Sequence, residues 1–223
     1  MIKLFFVPIG SYEQHGPHLP PETDFLIAYK LSEYVSSFFK GELIDGIKIG
    51  ISTEHEGFKN TKSILSGEFI TQILNILKNI EGNCKYVFIN AHGGNNNVLI
   101  EIQKKKKNII VFNTFTLIKK ELNDIRTSRI GGICHAGEYE TSLMLYLHPD
   151  LVKMNKLEKS DIFYVPFLDP NYKGERMKEW KTRDFSVSGI LGDPFHGSAK
   201  KGELWFEALS KKIIHLIKDL ITI

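Results

Sequence analysis

An apolar run, Ile2 to Ile9, ends in the stretch Gly10-Ser11-Tyr12-Glu13-Gln14-His15-Gly16-Pro17-His18-Leu19-Pro20-Pro21-Glu22-Thr23-Asp24. The run is short, apolar and aromatic, the pattern of an interior strand covered on both faces. The stretch after it holds two glycines and three prolines. Neither helix nor strand runs through that many breakers. It also holds the carboxylates Glu13, Glu22 and Asp24 and the imidazoles His15 and His18. A loop rich in ligand-type side chains, leaving the end of a parallel strand, lies where α/β proteins place ligands. Read alone, it is equally a polar surface connection that holds histidines.

The same alternation continues along the chain. Asp24 to Phe39 has helical spacing, with Leu26, Ile27, Leu31, Val35 and Phe38 on one face and Thr23 or Asp24 available as a cap. Leu43 to Ile51 returns to strand character, and Ser66 opens a second helix. Lys85 to Asn90 reads as a parallel strand running into Ala91-His92-Gly93-Gly94-Asn95-Asn96-Asn97, with a helix to about Lys106 and a strand from Ile109 to Phe112. This order predicts a three-layer α/β/α sandwich with a mostly parallel central sheet. Further helices are expected over 116–124, up to Leu147, and over 200–221; short strands are expected over 163–168 and 185–190. The polar stretch 169–184 has no clear period and reads as a lid or an interface arm. No repeat or linker divides the chain, so residues 1–223 are read as a single domain.

Composition excludes several classes of function. A net charge of +3 is too near neutral to imply nucleic acid, and the basic run Lys104 to Lys107 falls at a helix end, where it faces water. Cys84 and Cys134 form no C-x-x-C pair and read as buried thiols. With no signal peptide and no apolar stretch of spanning length, the expectation is a cytoplasmic protein without a membrane partner.

Glu13 and His15 are two apart, so an extended segment would turn both to one side. Asp24 follows after enough chain to turn back to the same point. His92 leaves another strand end, before glycines that let the backbone approach a ligand. Mixed imidazole and carboxylate donors suit zinc, manganese or ferrous iron. His-Gly-Gly-Asn alone is a weak signal, since Gly93-Gly94 could equally open a phosphate-binding helix N-terminus.

The combination is more specific. Gly-Ser-x-Glu-Gln-His-Gly-Pro-His-Leu-Pro with Thr-Asp after it, Glu54-His55 with Phe58 and Thr61, Asn-x-His-Gly-Gly-Asn, and His-Ala-Gly-Glu-x-Glu-Thr-Ser at His135 occur in that order. Together with Gly189-x-x-Gly192-Asp193-Pro194, they resemble the creatininase family of metal-dependent amidohydrolases. The resemblance covers nearly the whole chain and is weakest from Leu157 to Asp184.

The resemblance implies two divalent metal ions (zinc, manganese or iron). Glu13 and His92 would serve the first, His15 the second, and Asp24 would bridge them. His135 would contact substrate and move a proton. In creatininases proper a glutamate two residues after the strand-end histidine is a further ligand; here Gly94 stands there. Glu140 is the candidate to supply the missing carboxylate, as a ligand or as a partner that orients one. Glu54, His55, Gly93 and Gly94 would line the substrate pocket, and His18 and Glu22 would be scaffold.

The implied activity is hydrolysis of a non-peptide C–N bond, in a cyclic amide or formamide, by a hydroxide bridging the metals. Creatinine itself is not expected, because Gly131 and Gly132 stand where creatinine-hydrolysing members carry a tryptophan-aspartate pair. A nucleotide substrate would need cations such as Lys59, Lys62, Arg126 or Arg129 at the pocket. One alternative is a peptidase of the same family that trims a cofactor precursor peptide. Another is a non-catalytic α/β protein that binds a phosphate ligand. The resemblance further implies a closed homo-oligomer, often a hexamer.

Overall fold

The computed structural model describes residues 2–78 and 83–222. Strands β1 (Lys3–Ile9), β2 (Glu42–Leu43), β3 (Cys84–Asn90) and β4 (Ile109–Asn113) form a parallel sheet of order β2-β1-β3-β4. The principal helices are α1 (Thr23–Phe39), α2 (Ser66–Lys78), α3 (Asn96–Lys105), α4 (Thr114–Leu117), α5 (Lys119–Ile125), α6 (Glu138–Leu147) and α7 (Ala199–Thr222).

Alternate strand residues face opposite sides of the sheet and divide the core in two. Leu4, Phe6, Val87, Ile89, Ile110 and Phe112 pack against α1, α6 and α7, through residues such as Leu31, Leu143, Trp205 and Leu209. Phe5, Val7, Ile9, Tyr86 and Phe88 pack against α2 and α3 through Phe69, Ile73 and Leu99. Both faces of the sheet are covered, so its strands read as apolar runs. This is the three-layer arrangement expected.

Three local expectations need correction. The strand expected over 43–51 pairs with β1 only at Glu42–Leu43, then rejoins at a single bridge, Ile9 to Ile47. Phe6 and Pro8 both accept from this edge, at Ile44 N and Ile47 N. Pro8 has no N–H to return, so the ladder lapses beside it. The helix expected over 116–124 is broken between α4 and α5 at Ile118, which is fully buried in the core. The stretches 163–168 and 185–190 form no strands. Their rings instead pack, tilted or edge-on, against each other and Trp180, through the pairs Phe163–Phe185, Phe167–Phe185 and Phe167–Trp180. Among the described residues, no helix is long and apolar enough to cross a membrane. Cys84 and Cys134 are buried free thiols.

Candidate metal centre

Backbone staples draw the ends of β1 and β3 together. The Asn95 side chain donates to Gly10 O at 3.0 Å and accepts from Ile51 N at 3.0 Å. Asn90, the last residue of β3, donates to His92 O at 2.6 Å and so fixes the turn that carries the imidazole. The loop after β1 contributes Glu13 and His15, and the first turn of α1 contributes Asp24. Glu140 lies in the first turn of α6, just after His135.

Asp24 stands at the centre. Its Oδ2 is 3.2 Å from His92 Nδ1, and its Oδ1 is 3.3 Å from His15 Nε2. On the first side Glu13 Oε2 is 3.3 Å from His92 Nδ1; on the second, Glu140 Oε2 is 3.6 Å from His15 Nε2. Glu13, Asp24 and His92 therefore form one group able to hold a cation, and His15, Asp24 and Glu140 another. A third combination, Glu13, His15 and His135, also converges. Asp24 is not a helix cap: the cap position is Glu22, which makes no side-chain capping bond, and Asp24 instead accepts from Ser11 Oγ at 2.7 Å.

Backbone carbonyls set the imidazole tautomers, because a carbonyl only accepts. His15 Nδ1–H donates to Glu13 O at 3.0 Å, and His92 Nε2–H donates to Ile51 O at 2.8 Å. His135 Nε2–H donates to Gln14 O at 2.8 Å. The remaining nitrogens, His15 Nε2, His92 Nδ1 and His135 Nδ1, all face the cluster.

The electrostatics reflect this crowding. Burial would raise the Glu13 pKa, but His55, His92 and His135 outweigh it and hold the carboxyl well below its usual range. Asp24 is depressed likewise, its burial overcome by His15 and His92. Burial works against charge on His15, yet Asp24, Glu140 and Glu13 hold its pKa up at about 10. His92 is also raised, by Glu13 and Asp24 against burial. Burial, reinforced by Asp24 and Glu13 against His15, pushes Glu140 up to about 8. His135 is depressed well below the ordinary imidazole value by burial and by His55 and His15.

Both carboxylate oxygens of Glu13, and Nε2 of His15, are buried without a hydrogen-bond partner. A buried charge without a partner is costly. Orphaned anionic oxygens beside imidazole lone pairs are the donor set that divalent transition metals satisfy. The residues present therefore fit two cations sharing Asp24.

A chamber of about 220 Å³ opens on the cluster, lined by Glu13, Asp24, Glu54, His92, His135, Glu140 and Trp180 among others. A groove of about 900 Å³ adjoins it, sharing Glu54, Gly93, Leu168 and Trp180 and adding Gly94, Asn97, Lys178 and Lys181. Glu54 and Gly93 thus border both spaces, Gly94 borders only the groove, and His55 borders the chamber. A side chain at 94 would overlap the Ile51 carbonyl and come within 3.1 Å of Glu54 Oε1. His18 is buried and bonds Thr141 Oγ1 at 2.9 Å, away from the cluster's centre.

None of the four candidate cations lines the chamber or the groove. Arg126 pairs with buried Asp169 at 2.6 Å, Arg129 lies over Tyr164, and Lys62 over Tyr12. Lys59 lines a separate surface depression.

Sequence reasoning missed Trp180, Thr182 and Gln14. The segment 169–184 folds back so that Trp180 lines the chamber and, with Lys178, Glu179, Lys181 and Asp184, the groove. Thr182 Oγ1 lies 2.9 Å from His55 Nδ1, Lys181 Nζ donates to Thr53 O at 2.8 Å, and Arg183 donates to Gly57 O. A lone tryptophan in an otherwise polar, aperiodic stretch was the available signal.

Comparison with known proteins gives concordant findings. A family model, creatininase, described as creatinine amidohydrolase, matches residues 2–217. A mycofactocin precursor peptide peptidase of Mycolicibacterium smegmatis is 31% identical, over 92% of this chain and 81% of its own length. The 2-amino-5-formylamino-6-ribosylaminopyrimidin-4(3H)-one 5'-monophosphate deformylase of Methanosphaera stadtmanae is 34% identical, over 87% of this chain and 85% of its own. A solved structure described as creatininase Mn superposes with a TM-score of 0.77 at 23% identity, covering 98% of this chain and 90% of that one.

Proposed function

The chain belongs to the creatininase family, and from that premise we propose that it is a two-metal hydrolase of an amide C–N bond. The observation that carries this reading is the placement of Asp24, one oxygen toward His92 and Glu13 and the other toward His15 and Glu140. In it Glu13, Asp24 and His92 hold one cation, and His15, Asp24 and Glu140 hold the other. Glu140 is then a ligand, supplying the carboxylate that Gly94 lacks. The family match over 2–217 supports reading 1–223 as one hydrolase domain.

Two such cations lower the pKa of water to about 7 and stabilise developing oxyanion charge. The protein supplies the rest. The chamber borders Asp24, and Trp180 and Leu168 give it an apolar wall against which the substrate packs. His135 presents an unprotonated Nδ1 to the chamber, its Nε2–H being held by Gln14 O. That nitrogen takes a proton from the attacking water and delivers it to the leaving nitrogen. Glu54, Gly93 and Gly94 contact the substrate where the chamber opens into the groove.

A chamber of about 220 Å³ suits a cyclic amide or formamide group, the first reading of the substrate. The groove of about 900 Å³ favours a second, a peptide whose chain extends beyond the cleaved bond, and the 31% identical peptidase supports it. A panel of formamides, cyclic amides and peptides, assayed with zinc, manganese and iron, tests both. Formate release or ring opening marks the first, a new peptide terminus the second, and no turnover with any metal overturns the hydrolase reading.

The reading extends to assembly and location. Leu65 is 70% exposed, and Ile70, Leu74 and Ile100 are also exposed on the α2–α3 side, which supports a homo-oligomer. Light scattering of the purified protein tests it. Free buried thiols support a reducing, cytoplasmic setting.

A further inference from the structure

His55 is a metal-site neighbour of a different kind from His15, His92 and His135. No backbone carbonyl fixes its tautomer. Its Nδ1 meets two side chains, Gln14 Nε2 at 2.9 Å and Thr182 Oγ1 at 2.9 Å. Its Nε2 lies 3.3 Å from Glu13 Oε1.

The orientation of the Gln14 amide decides the matter. Gly16 N–H donates to Gln14 Oε1 at 3.0 Å, and Gln14 Nε2 donates to Gly189 O at 2.9 Å. An N–H requires the oxygen, and a carbonyl requires the NH₂, so the amide cannot be flipped. Gly189 has φ of +90°, and a β-carbon there would overlap the amide, so the turn that receives Gln14 depends on glycine. The second N–H of Gln14 is then free for His55 Nδ1, and an amide nitrogen never accepts. Gln14 Nε2 also comes within 3.1 Å of His135 Nε2, but that nitrogen is already the donor to Gln14 O, so the approach is not a hydrogen bond.

We infer that Gln14 locks His55 in its Nε2–H form, with the Thr182 hydroxyl adapting to it, making His55 a positioning residue that turns an N–H, and never a lone pair, toward Glu13. His55 is therefore not a metal ligand. Its N–H faces Oε1 of Glu13 and leaves Oε2, the oxygen nearest His92, for the cation. Gln14 thus serves two histidines in opposite senses. Its side-chain amide turns the N–H edge of His55 toward the centre, while its backbone carbonyl makes His135 a lone-pair donor. The tautomer stands on hydrogen-bond geometry alone; only its consequence for the cation rests on the two-metal reading.

The test has two arms that fail separately. A two-bond ¹H–¹⁵N correlation spectrum of the metal-free protein reports the ring state directly, with the His55 signals identified by their loss in His55→Gln. The expected pattern is an unprotonated Nδ1 and a protonated Nε2; the reverse pattern, or protons on both nitrogens, overturns the inference. The second arm measures zinc affinity by competition with a chromophoric chelator. His55→Ala weakens it by about 10–100-fold, the range for partners that orient a ligand. His55→Gln, whose amide restores an N–H, recovers most of the loss. Unchanged affinity in His55→Ala overturns the positioning role. Absence of zinc binding by the unsubstituted protein would instead overturn the two-metal reading, while the ring spectrum still decides the tautomer.

Discussion

The carbonyl oxygen of Glu13 accepts the Nδ1–H of His15 at 3.0 Å, although the two side chains lie on opposite sides of Asp24. In the proposed two-metal site one residue would thus offer its carboxylate to one cation and its backbone to the ligand of the other. A shift of the loop would disturb both positions together, which accounts for the many ties holding it. Glu13 N donates to Pro21 O, Gln14 N to Thr61 Oγ1, and the Gln14 side chain reaches Gly189.

Asp24→Asn should therefore lose both cations, because each site depends on one of its oxygens. His15→Ala should lose one and retain the other. Both variants should lose activity. Elemental analysis of purified protein gives the stoichiometry directly. Full occupancy in Asp24→Asn would be incompatible with a shared aspartate.

His135 faces the chamber but belongs to neither of the groups that share Asp24. His135→Ala should leave metal content unchanged while lowering kcat by about 10²–10⁴-fold, the range for loss of a positioned acid–base group. Loss of metal in this variant would move His135 into the ligand set, through its convergence with Glu13 and His15.

The legibility of this site followed the range of its interactions. The strands β1, β3 and β4 and the helix α1 were readable because their apolar periodicity is local. Pro8 was also visible, but its effect on β2 depends on which side of the strand its missing N–H would face, and periodicity does not report that. Glu13, His15, Asp24 and His92 stood out as donor types in breaker-rich loops at strand ends. Trp180 and Thr182 did not, because their segment has no period and reaches the chamber through contacts with residues distant in sequence, Thr53, His55 and Gly57 among them. Gln14 was in plain view inside the first loop. Its bonds to residues 55 and 189 span too much sequence for local reasoning to find.

The wall segment gives a prediction about specificity. Trp180 borders both the chamber and the groove, and packs edge-on against His55 with ring centroids 6.3 Å apart. Trp180→Ala should raise KM severalfold with a smaller change in kcat, and should relax discrimination among substrates of different size. Steady-state kinetics on two amides of unequal bulk check this. Equal effects on kcat and KM for both would assign Trp180 to chemistry rather than fit.

Asp169 anchors that wall to the loop leading to His135. Its Oδ2 accepts from Arg126 Nη1 at 2.6 Å and from Gly131 N at 2.9 Å, and its side chain is fully buried. Arg126→Ala leaves a buried carboxylate without its cation, a loss that typically costs about 3–5 kcal/mol. Thermal or urea unfolding should show a large destabilisation. Arg126→Lys should restore the charge without the full fork geometry and recover only part of it. A destabilisation below about 1 kcal/mol would mean that the backbone donors alone satisfy Asp169.

The metal-free protein should become less stable as pH rises from about 7 to 9, and bound metal should reverse the trend. His15 has a folded pKa of about 10 against an ordinary 6.5. Its contribution is complete below 6.5 and is lost as pH climbs toward 10. His92, also raised, acts in the same direction. Glu140, raised to about 8 from 4.5, has its favourable protonated state withdrawn over the lower part of that window. Glu13 and Asp24 are depressed, so they are ionised in folded and unfolded chains alike above pH 6 and contribute no slope there. His18, His55, His135 and His148 are depressed and act in the opposite sense, but above about pH 7 their unfolded counterparts have largely lost their protons, so from there to pH 9 the folded state binds more protons than the unfolded one and stability must fall with pH. The labile proton of His15 sits on Nε2, since Nδ1–H is committed to Glu13 O. A cation in the group formed with Asp24 and Glu140 needs that same nitrogen, so metal and proton compete and metal affinity rises with pH. Melting curves with chelator and with added zinc, recorded at several pH values, should therefore diverge toward alkaline pH. A chelated protein whose Tm stays flat or rises between pH 7 and 9 would contradict the assignment.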